Sequence, residues 1–130
     1  MSKLDLVYLT EAVAPLPTTP LPLYLLGRRA WLAGRAEEAA GPLRTALKLL
    51  ERPETHGGLR ESTAEAIERE VWRMLGRILL QQGKLTDAEA AFARAAQLST
   101  SPGARKSLLD WGARANWERQ RAWLKGHGVF

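Results

Sequence analysis

The chain has no cysteine, only two histidines and no long hydrophobic run. The lack of cysteine excludes a disulfide framework, an iron–sulfur cluster, a thiolate zinc site and a thiol nucleophile. His56 and His127 lie far apart and next to glycine, so we expect both in solvent-exposed loops, without a metal site or a catalytic triad. No run approaches the roughly 18 apolar residues that a membrane-spanning helix needs. We therefore expect a protein that is not an enzyme, binds no cofactor and does not cross a membrane.

Valine, isoleucine and threonine are scarce, whereas alanine and leucine are abundant, which favours helix over strand along the whole chain. A content of 45% hydrophobic and 25% charged residues in 130 residues predicts one folded domain. The predicted fold class is therefore all-α. The first residues show no signal-peptide pattern, so we expect a cytoplasmic location. The excess of arginine over lysine fits a GC-rich genome or adaptation to heat, and we expect a bacterial protein.

Two stretches of the chain are similar to each other at one constant offset of 49 residues. The matched pairs are Leu26 with Leu75, Gly27 with Gly76, Gly34 with Gly83, Ala39 with Ala88, Leu43 with Phe92, Ala46 with Ala95, and Leu49 with Leu98. Each stretch predicts two helices joined by a glycine turn, with small residues where the helices touch. We expect Leu26 and Leu75 on the buried faces of their helices.

Several local signals predict where helices begin or break. Capping boxes over residues 62–65 and 86–89 predict the starts of the third and fourth helices. Pro42 lies inside the second predicted helix, where its ring opposes the carbonyl four residues earlier, so we expect a kink or a split there. Residues 104–124 predict a long final helix that covers the apolar face of the last hairpin.

The second stretch resembles the tetratricopeptide repeat, a family of helical hairpins that stack into a superhelix. The residues that carry the resemblance are Trp72, Leu75, Gly76, Leu79, Gly83, Ala88, Phe92, Ala95 and Pro102. The first stretch departs from the family pattern, with Leu23 in place of tryptophan and Ala30 in place of the usual aromatic residue. The resemblance implies a short α-α superhelix of two hairpins, with an N-terminal segment before them and a C-terminal capping helix after them.

We expect a single domain over residues 1–130. Its parts, in order, are an N-terminal helix and proline-rich extended segment (1–19), a first hairpin (20–53), an insertion with a helix extension (54–68), a second hairpin (69–102), and a capping helix with a tail (103–130). The N-terminal segment could also lie in the molecule's own groove, or in that of a neighbour, as an internal ligand.

In the family, the first helix of each hairpin lines a concave groove that binds a peptide or a partner protein. The resemblance therefore implies a binding site at Tyr24, Arg28, Trp31, Arg73, Arg77, Trp111 and Arg114. Arginine interleaved with aromatic rings suits carboxylates through forked hydrogen bonds and flat apolar groups through stacking. The predicted function is a non-catalytic scaffold for an acidic peptide with an apolar anchor. The alternative is that the arginines are merely solvated and that Tyr24 and Trp31 cover edges of the core.

The family also includes a carboxylate clamp, in which lysine and asparagine capture the tails of chaperones. Tyr24, Arg28 and Met74 occupy the positions that would need lysine or asparagine. The sequence therefore does not favour binding of a chaperone tail.

The C-terminal region suggests a second function. Residues 103–130 carry a net charge of +4, from six basic residues against Asp110 and Glu118, and these lie among tryptophans. Such a helix could bind a nucleic-acid backbone and stack bases, although here the cations are scattered around the helix. A nucleic-acid-binding accessory protein is therefore the alternative to the peptide scaffold.

The same helix carries Trp111, Trp117 and Trp123 at a spacing of six. Residues six apart do not share a helical face, because they differ by about 240° around the axis. We therefore expect some of these rings to leave the core and to form a homodimer contact.

Overall fold

The computed structural model describes residues 19–128, and all regular structure among them is helical. The five helices are α1 (Pro20–Leu32), α2 (Ala36–Leu50), α3 (Glu61–Gln81), α4 (Leu85–Gln97) and α5 (Pro102–Gly126), with a single 3₁₀ turn at Pro53–Thr55. The all-α prediction is confirmed. None of these five helices is both long enough and apolar enough to cross a bilayer. The predicted N-terminal helix lies outside the described residues.

The same glycine turn closes both hairpins, α1 with α2 and α3 with α4. Gly34 and Gly83 have φ of +79° and +77°, a region that side chains disfavour. The N–H of Arg35 donates to the carbonyl of Ala30 at 2.9 Å, and the equivalent bond in the second hairpin has the same length. This is the Schellman motif, which satisfies the last carbonyls of the first helix while it turns the chain into the second.

Neither predicted capping box forms. α3 and α4 each begin two residues earlier than caps at Ser62 and Thr86 would require, so these are the second residues of their helices. A side chain inside the first turn does not hold the capping position, which Arg60 and Lys84 occupy without a side-chain hydrogen bond. The predictions are wrong because the backbone conformation set by the preceding residues, including the turn at Gly83, determines these helix starts.

The expected split of α2 at Pro42 is also wrong, because the helix runs without a break from residue 36 to residue 50. Its inner face carries Ala39, Leu43 and Ala46, all with an exposed fraction of 0%. The carbonyl that loses its hydrogen bond to Pro42 belongs to Glu38, an exposed residue, so water can bond it. Tertiary packing of the buried face therefore outweighs the cost of one missing backbone hydrogen bond.

The two helices of each hairpin approach most closely at a glycine. A Cβ added at Gly27 would lie 2.6 Å from the side chain of Leu43, and one added at Gly76 would lie 2.7 Å from the ring of Phe92. Real Cβ atoms do not tolerate such distances, so only glycine allows the helices to pack this closely. The small residues thus stand where the repeat pattern places them.

The core consists of two clusters that meet along α3. The first packs α2 against α3 through Ala39, Leu43, Leu50, Ala64, Ile67, Val71, Met74, Leu75 and Ile78. The second packs α4 against the end of α3 and against α5 through Leu79, Ala88, Ala91, Phe92, Ala95, Ala96, Leu108 and Ala115. α3 therefore has neighbours on both sides, whereas α1 and α5 stand at the two ends of the described array.

The position of α1 at one end explains a wrong prediction. Leu75 is buried, with an exposed fraction of 3%, but its counterpart Leu26 is 50% exposed. Leu75 packs in the first cluster against α2, the helix that precedes its own hairpin. No described helix precedes α1, so the equivalent face has nothing to pack against.

α5 runs from residue 102 to residue 126, slightly beyond the predicted bounds, and its side chains pack on α4 through Leu108 and Ala115. Ser101 caps its start, because its hydroxyl accepts a hydrogen bond from the N–H of Ala104 at 3.3 Å. Of the three tryptophans, Trp111 is half-buried, whereas Trp117 and Trp123 are 57% and 59% exposed. Those two rings do leave the core, as their spacing predicts.

Candidate functional site

The guanidinium of Arg77 joins side chains from three helices. Its central carbon lies 4.3 Å from the ring centroid of Trp111 on α5 and 5.5 Å from that of Trp31 on α1. Both distances fall within the range of about 6 Å for an attraction between a cation and an aromatic face. Arg77 itself stands on α3, so one cation connects the first helix of each hairpin to the capping helix.

The position of Trp111 is supported from two further sides. Its ring stacks on Phe92 of α4, with centroids 5.9 Å apart and planes inclined by 20°. The guanidinium of Arg114, one turn further along α5, lies 5.2 Å from the same ring. Phe92 is fully buried, so Trp111 rests on the core while part of it stays accessible to solvent.

We name the four side chains Trp31, Arg77, Trp111 and Arg114 the aromatic-arginine cluster. Stacking uses the flat face of a guanidinium and leaves the N–H groups along its edge able to donate. Among the ion pairs formed by the described residues, none involves Arg77. Its edge is therefore available to an external acceptor such as a carboxylate.

Two other arginines of the predicted site already have partners. Arg73 donates from Nε and Nη2 to one oxygen of Glu70, at 3.1 and 2.8 Å, and Arg114 donates from Nε to Glu118 at 3.2 Å. Both pairs are partly exposed, so each contributes little to stability and can exchange with a ligand. These ion pairs were not predicted from the sequence, although oppositely charged residues three or four apart on a helix commonly pair.

The structure does not bring the whole predicted site together. Tyr24 and Trp31 are both half-buried and pack on the first core cluster, which agrees with the alternative interpretation that they cover edges of the core. Only Trp31 also lies against the guanidinium of Arg77. Arg28 is exposed on α1 and makes no cation–π contact within residues 19–128. Arg73 turns toward Glu70. The aromatic-arginine cluster is thus the part of the predicted surface that forms one contact network.

A shallow hollow of about 220 Å³ adjoins this cluster on α5. Its lining comprises Ser107, Asp110, Trp111 and Arg114. Asp110 is paired with Lys106 at 3.2 Å, which offsets its negative charge. The hollow therefore places an indole and a guanidinium beside a space that suits a single side chain of a ligand.

A second hollow, of about 520 Å³, lies between α2, α3 and α4, and the sequence reasoning did not foresee it. Its floor is apolar and its rim is charged, and the lining residues are Arg44, Leu47, Lys48, Glu51, Trp72, Leu75, Leu79, Asp87, Ala90, Ala91 and Arg94. Because its rim mixes both charges, it shows no preference for one class of ligand.

The histidines do not form a site. The Nε2 of His56 lies 3.0 Å from the carbonyl oxygen of Leu50, and the ring is half-buried, so the expectation that it is open to solvent is wrong. The reason is that the turn after Pro53–Thr55 folds back onto the end of α2. His127 is exposed and stacks on Trp123, with centroids 3.9 Å apart. Among residues 19–128, no cluster of three His, Asp or Glu side chains could hold a metal ion.

Comparison with known proteins gives one match. Residues 69–101 match the family model of the tetratricopeptide repeat. This confirms the resemblance of the second hairpin to a tetratricopeptide repeat. Proteins with such repeats generally bind protein partners and are typically non-catalytic scaffolds. No curated protein and no solved structure matches the chain.

Proposed function

We propose that this protein is a non-catalytic scaffold that binds an acidic peptide with an apolar anchor along the surface shared by α1, α3 and α5. The observation that carries the proposal is the contact of Arg77 with both Trp31 and Trp111. These three residues come from three helices and form one continuous surface. The match of residues 69–101 to the tetratricopeptide repeat supports a protein or peptide as the partner.

The charge of the surface favours an acidic ligand. Arg28 is exposed and Arg77 presents the edge of its guanidinium, and neither joins an ion pair among the described residues. Arg73 and Arg114 hold carboxylates of the chain itself, in pairs that ligand carboxylates can replace. Forked hydrogen bonds to carboxylates would then add to the attraction from the net charge of +5.

The aromatic rings favour an apolar anchor in that ligand. Trp31 and Trp111 are both half-buried, so each is held in place and still offers part of its indole to a partner. Tryptophan and arginine are the residue types most enriched among those that dominate binding energies at protein interfaces. An aromatic or aliphatic side chain that packs on these rings would exclude water from the guanidinium edge and so strengthen its hydrogen bonds.

The alternative is nucleic-acid binding by α5, whose exposed ion pairs, Lys106–Asp110, Arg114–Glu118 and Arg119–Glu89, a phosphate backbone could also replace. The match of residues 69–101 to a repeat that generally binds proteins favours the peptide over the nucleic acid. The experiment therefore includes an oligonucleotide.

The experiment compares two variants of the same net charge. In the first, Arg28, Arg73 and Arg77 are replaced by glutamate; in the control, Arg52, Lys84 and Arg121, exposed residues outside the predicted site and outside the second hollow, are replaced by glutamate. Each is titrated with labelled peptides that carry Asp or Glu around one Leu, Phe or Trp. We expect the first variant to lose at least about tenfold in affinity, since hot-spot residues dominate binding. Equal losses in both variants would contradict the proposal.

A labelled single-stranded oligonucleotide is titrated in parallel at two salt concentrations. Binding that falls steeply with salt and is lost in the Arg121 control would favour the nucleic-acid alternative, because phosphate contacts release counterions. Circular dichroism of both variants shows whether they remain folded.

The homodimer, the cytoplasmic location and the bacterial origin remain predictions. The exposed Trp117 and Trp123 motivate the first, and sedimentation of a Trp117→Ala/Trp123→Ala variant tests it.

A further inference from the structure

The large hydrophobic side chains that the structure leaves exposed are confined to the two end helices. They are Leu21, Leu25, Leu26 and Leu32 on α1, and Leu109, Trp117 and Trp123 on α5. A stack of repeats buries its apolar faces between neighbouring helices, so only a terminal helix can leave one open. The four leucines of α1 form the more concentrated of the two sets, since they lie within 13 residues.

The offset of 49 residues shows which face of α3 corresponds to the exposed face of α1. On α3 the residues Val71, Met74, Leu75 and Ile78 are buried in the first core cluster, against α2. Their counterparts on α1 are Pro22, Leu25, Leu26 and Arg29, all of them exposed. The bare face of α1 is therefore equivalent to the face that α3 presents to the helix before it.

We propose that residues 3–13 form a helix that packs on this face of α1 in the same way that α2 packs on α3. The segment precedes α1 directly, and its pattern predicts a helix that ends at the prolines of the linker. This position is on the end of the array rather than in the concave groove. The proposal is thus independent of the peptide ligand proposed above.

The length and the anchoring of the linker allow this arrangement. Six residues, 14–19, connect the segment to α1, whereas ten residues, 51–60, connect α2 to α3. Thr19 packs directly on the second of these loops, since a Cβ added at Gly57 would lie 2.5 Å from its methyl group. The chain therefore enters α1 beside the α2–α3 loop. Six extended residues span about 20 Å, which is enough to return along a helix of this length.

The composition of the segment complements the face. Seven of the eleven residues in 3–13 are apolar, and the two carboxylates are Asp5 and Glu11. Arg29 is exposed beside Leu25 and Leu26 on this face of α1. Burial of Leu25 and Leu26 supplies the main driving force. The short linker, rather than charge, selects this end of the molecule, because α5 carries more basic residues than α1.

Hydrogen exchange of the full chain tests the proposal. Leu26→Asp places a charge in the contact, and the matched control is Leu109→Asp, whose leucine is 54% exposed at the other end of the array. We expect amides in 3–13 to exchange at least about tenfold faster in Leu26→Asp than in the native chain, because a local opening then costs less. The control should leave them unchanged. Fast exchange of 3–13 in the native chain, or equal effects of both variants, would overturn the proposal.

Disulfide formation identifies the occupant, and the chain has no cysteine to interfere. Leu26→Cys is combined in turn with Leu4→Cys, Val7→Cys or Tyr8→Cys, and each is oxidised in dilute solution. We expect at least one of these pairs to form a disulfide within one chain, and none to form one when Leu109→Cys replaces Leu26→Cys. Disulfides that form only between chains would show that a second copy covers α1, and the absence of any disulfide would also overturn the proposal.

Discussion

The two hairpins have the same construction but different surroundings. Both turn at a glycine of positive φ, and both pack their helices together at a second glycine. Yet Leu26 is 50% exposed where Leu75 is 3% exposed, although the two residues occupy the same place in their hairpins. The difference arises because α3 has α2 beside it, whereas no described helix precedes α1. Burial in such an array is therefore a property of the neighbouring hairpin as much as of the residue itself.

The largest effect that separates the two hairpins is expected from truncation of these two leucines. Leu75→Ala should lower the free energy of unfolding by about 2–5 kcal/mol, because it removes buried methyl groups and leaves a cavity. In a chain that lacks residues 1–13, Leu26→Ala should cost less than about 1 kcal/mol, because half of that side chain then contacts solvent. In the full chain the docked segment should raise this cost. Urea unfolding followed by circular dichroism measures both.

Both variants carry the same chemical change, so each serves as the control for the other. A loss from Leu26→Ala that is no larger in the full chain than in the chain lacking residues 1–13 would contradict docking of residues 3–13 on this face. Equal small losses would contradict the assignment of Leu75 to the core.

These comparisons also show how far the sequence alone predicts the molecule. The hairpins, their turns and their close contacts follow from local pattern, since glycine is required wherever a Cβ would collide or φ is positive. The exposure of Leu26 does not follow from pattern, because the repeat period is the same whether or not another helix lies beside it. The starts of α3 and α4 were missed because backbone turns, rather than side-chain caps, determine them.

The candidate site was likewise only partly predictable from the sequence. The family resemblance implied that Trp31, Arg77 and Trp111 lie on one surface, and the guanidinium of Arg77 does contact both rings. The ion pair between Arg73 and Glu70 could not be predicted in this way, because a long side chain has several rotamers that reach different partners. The position of a residue on a face was thus predictable, whereas the contacts of its terminal atoms were not.

The next largest effect concerns the close glycine contacts. Gly76→Leu and Gly27→Leu should each destabilise the fold by about 1–3 kcal/mol, because the added side chain overpacks the hairpin. We expect Gly76→Leu to be the more costly of the two, because three atoms of the Phe92 ring lie within 2.9 Å of the added Cβ and that ring is stacked on Trp111. At Gly27 the added Cβ would meet two atoms of Leu43 at 2.6 Å and the carbonyl oxygen of Ala39 at 3.2 Å. Urea denaturation ranks the two variants, and a reversed order would mean that the end hairpin is the more rigid.

Substitution of the turn glycine should destabilise the two hairpins equally. Gly34→Ala and Gly83→Ala place a Cβ at φ of +79° and +77°, with no other atom within 4 Å of it. Each should cost about 1–2 kcal/mol from the unfavourable backbone conformation alone. Thermal melts of the two variants should therefore shift by similar amounts. A clear inequality would show that the turns differ in their surroundings despite matching hydrogen bonds.

The smallest expected effect comes from a position where the hairpins differ in sequence but not in exposure. Gly41 and Ala90 are counterparts on the exposed sides of α2 and α4. Ala90→Gly should lower the free energy of unfolding by about 1 kcal/mol, because glycine loses more backbone entropy in a helix. Gly41→Ala should raise it by less, since the following Pro42 crowds the Cβ of any residue before it. In a Pro42→Ala background the two effects should become equal and opposite, as measured by urea unfolding. If Gly41→Ala raised the free energy of unfolding equally with and without Pro42, steric crowding by the proline would not explain the difference between the two helices.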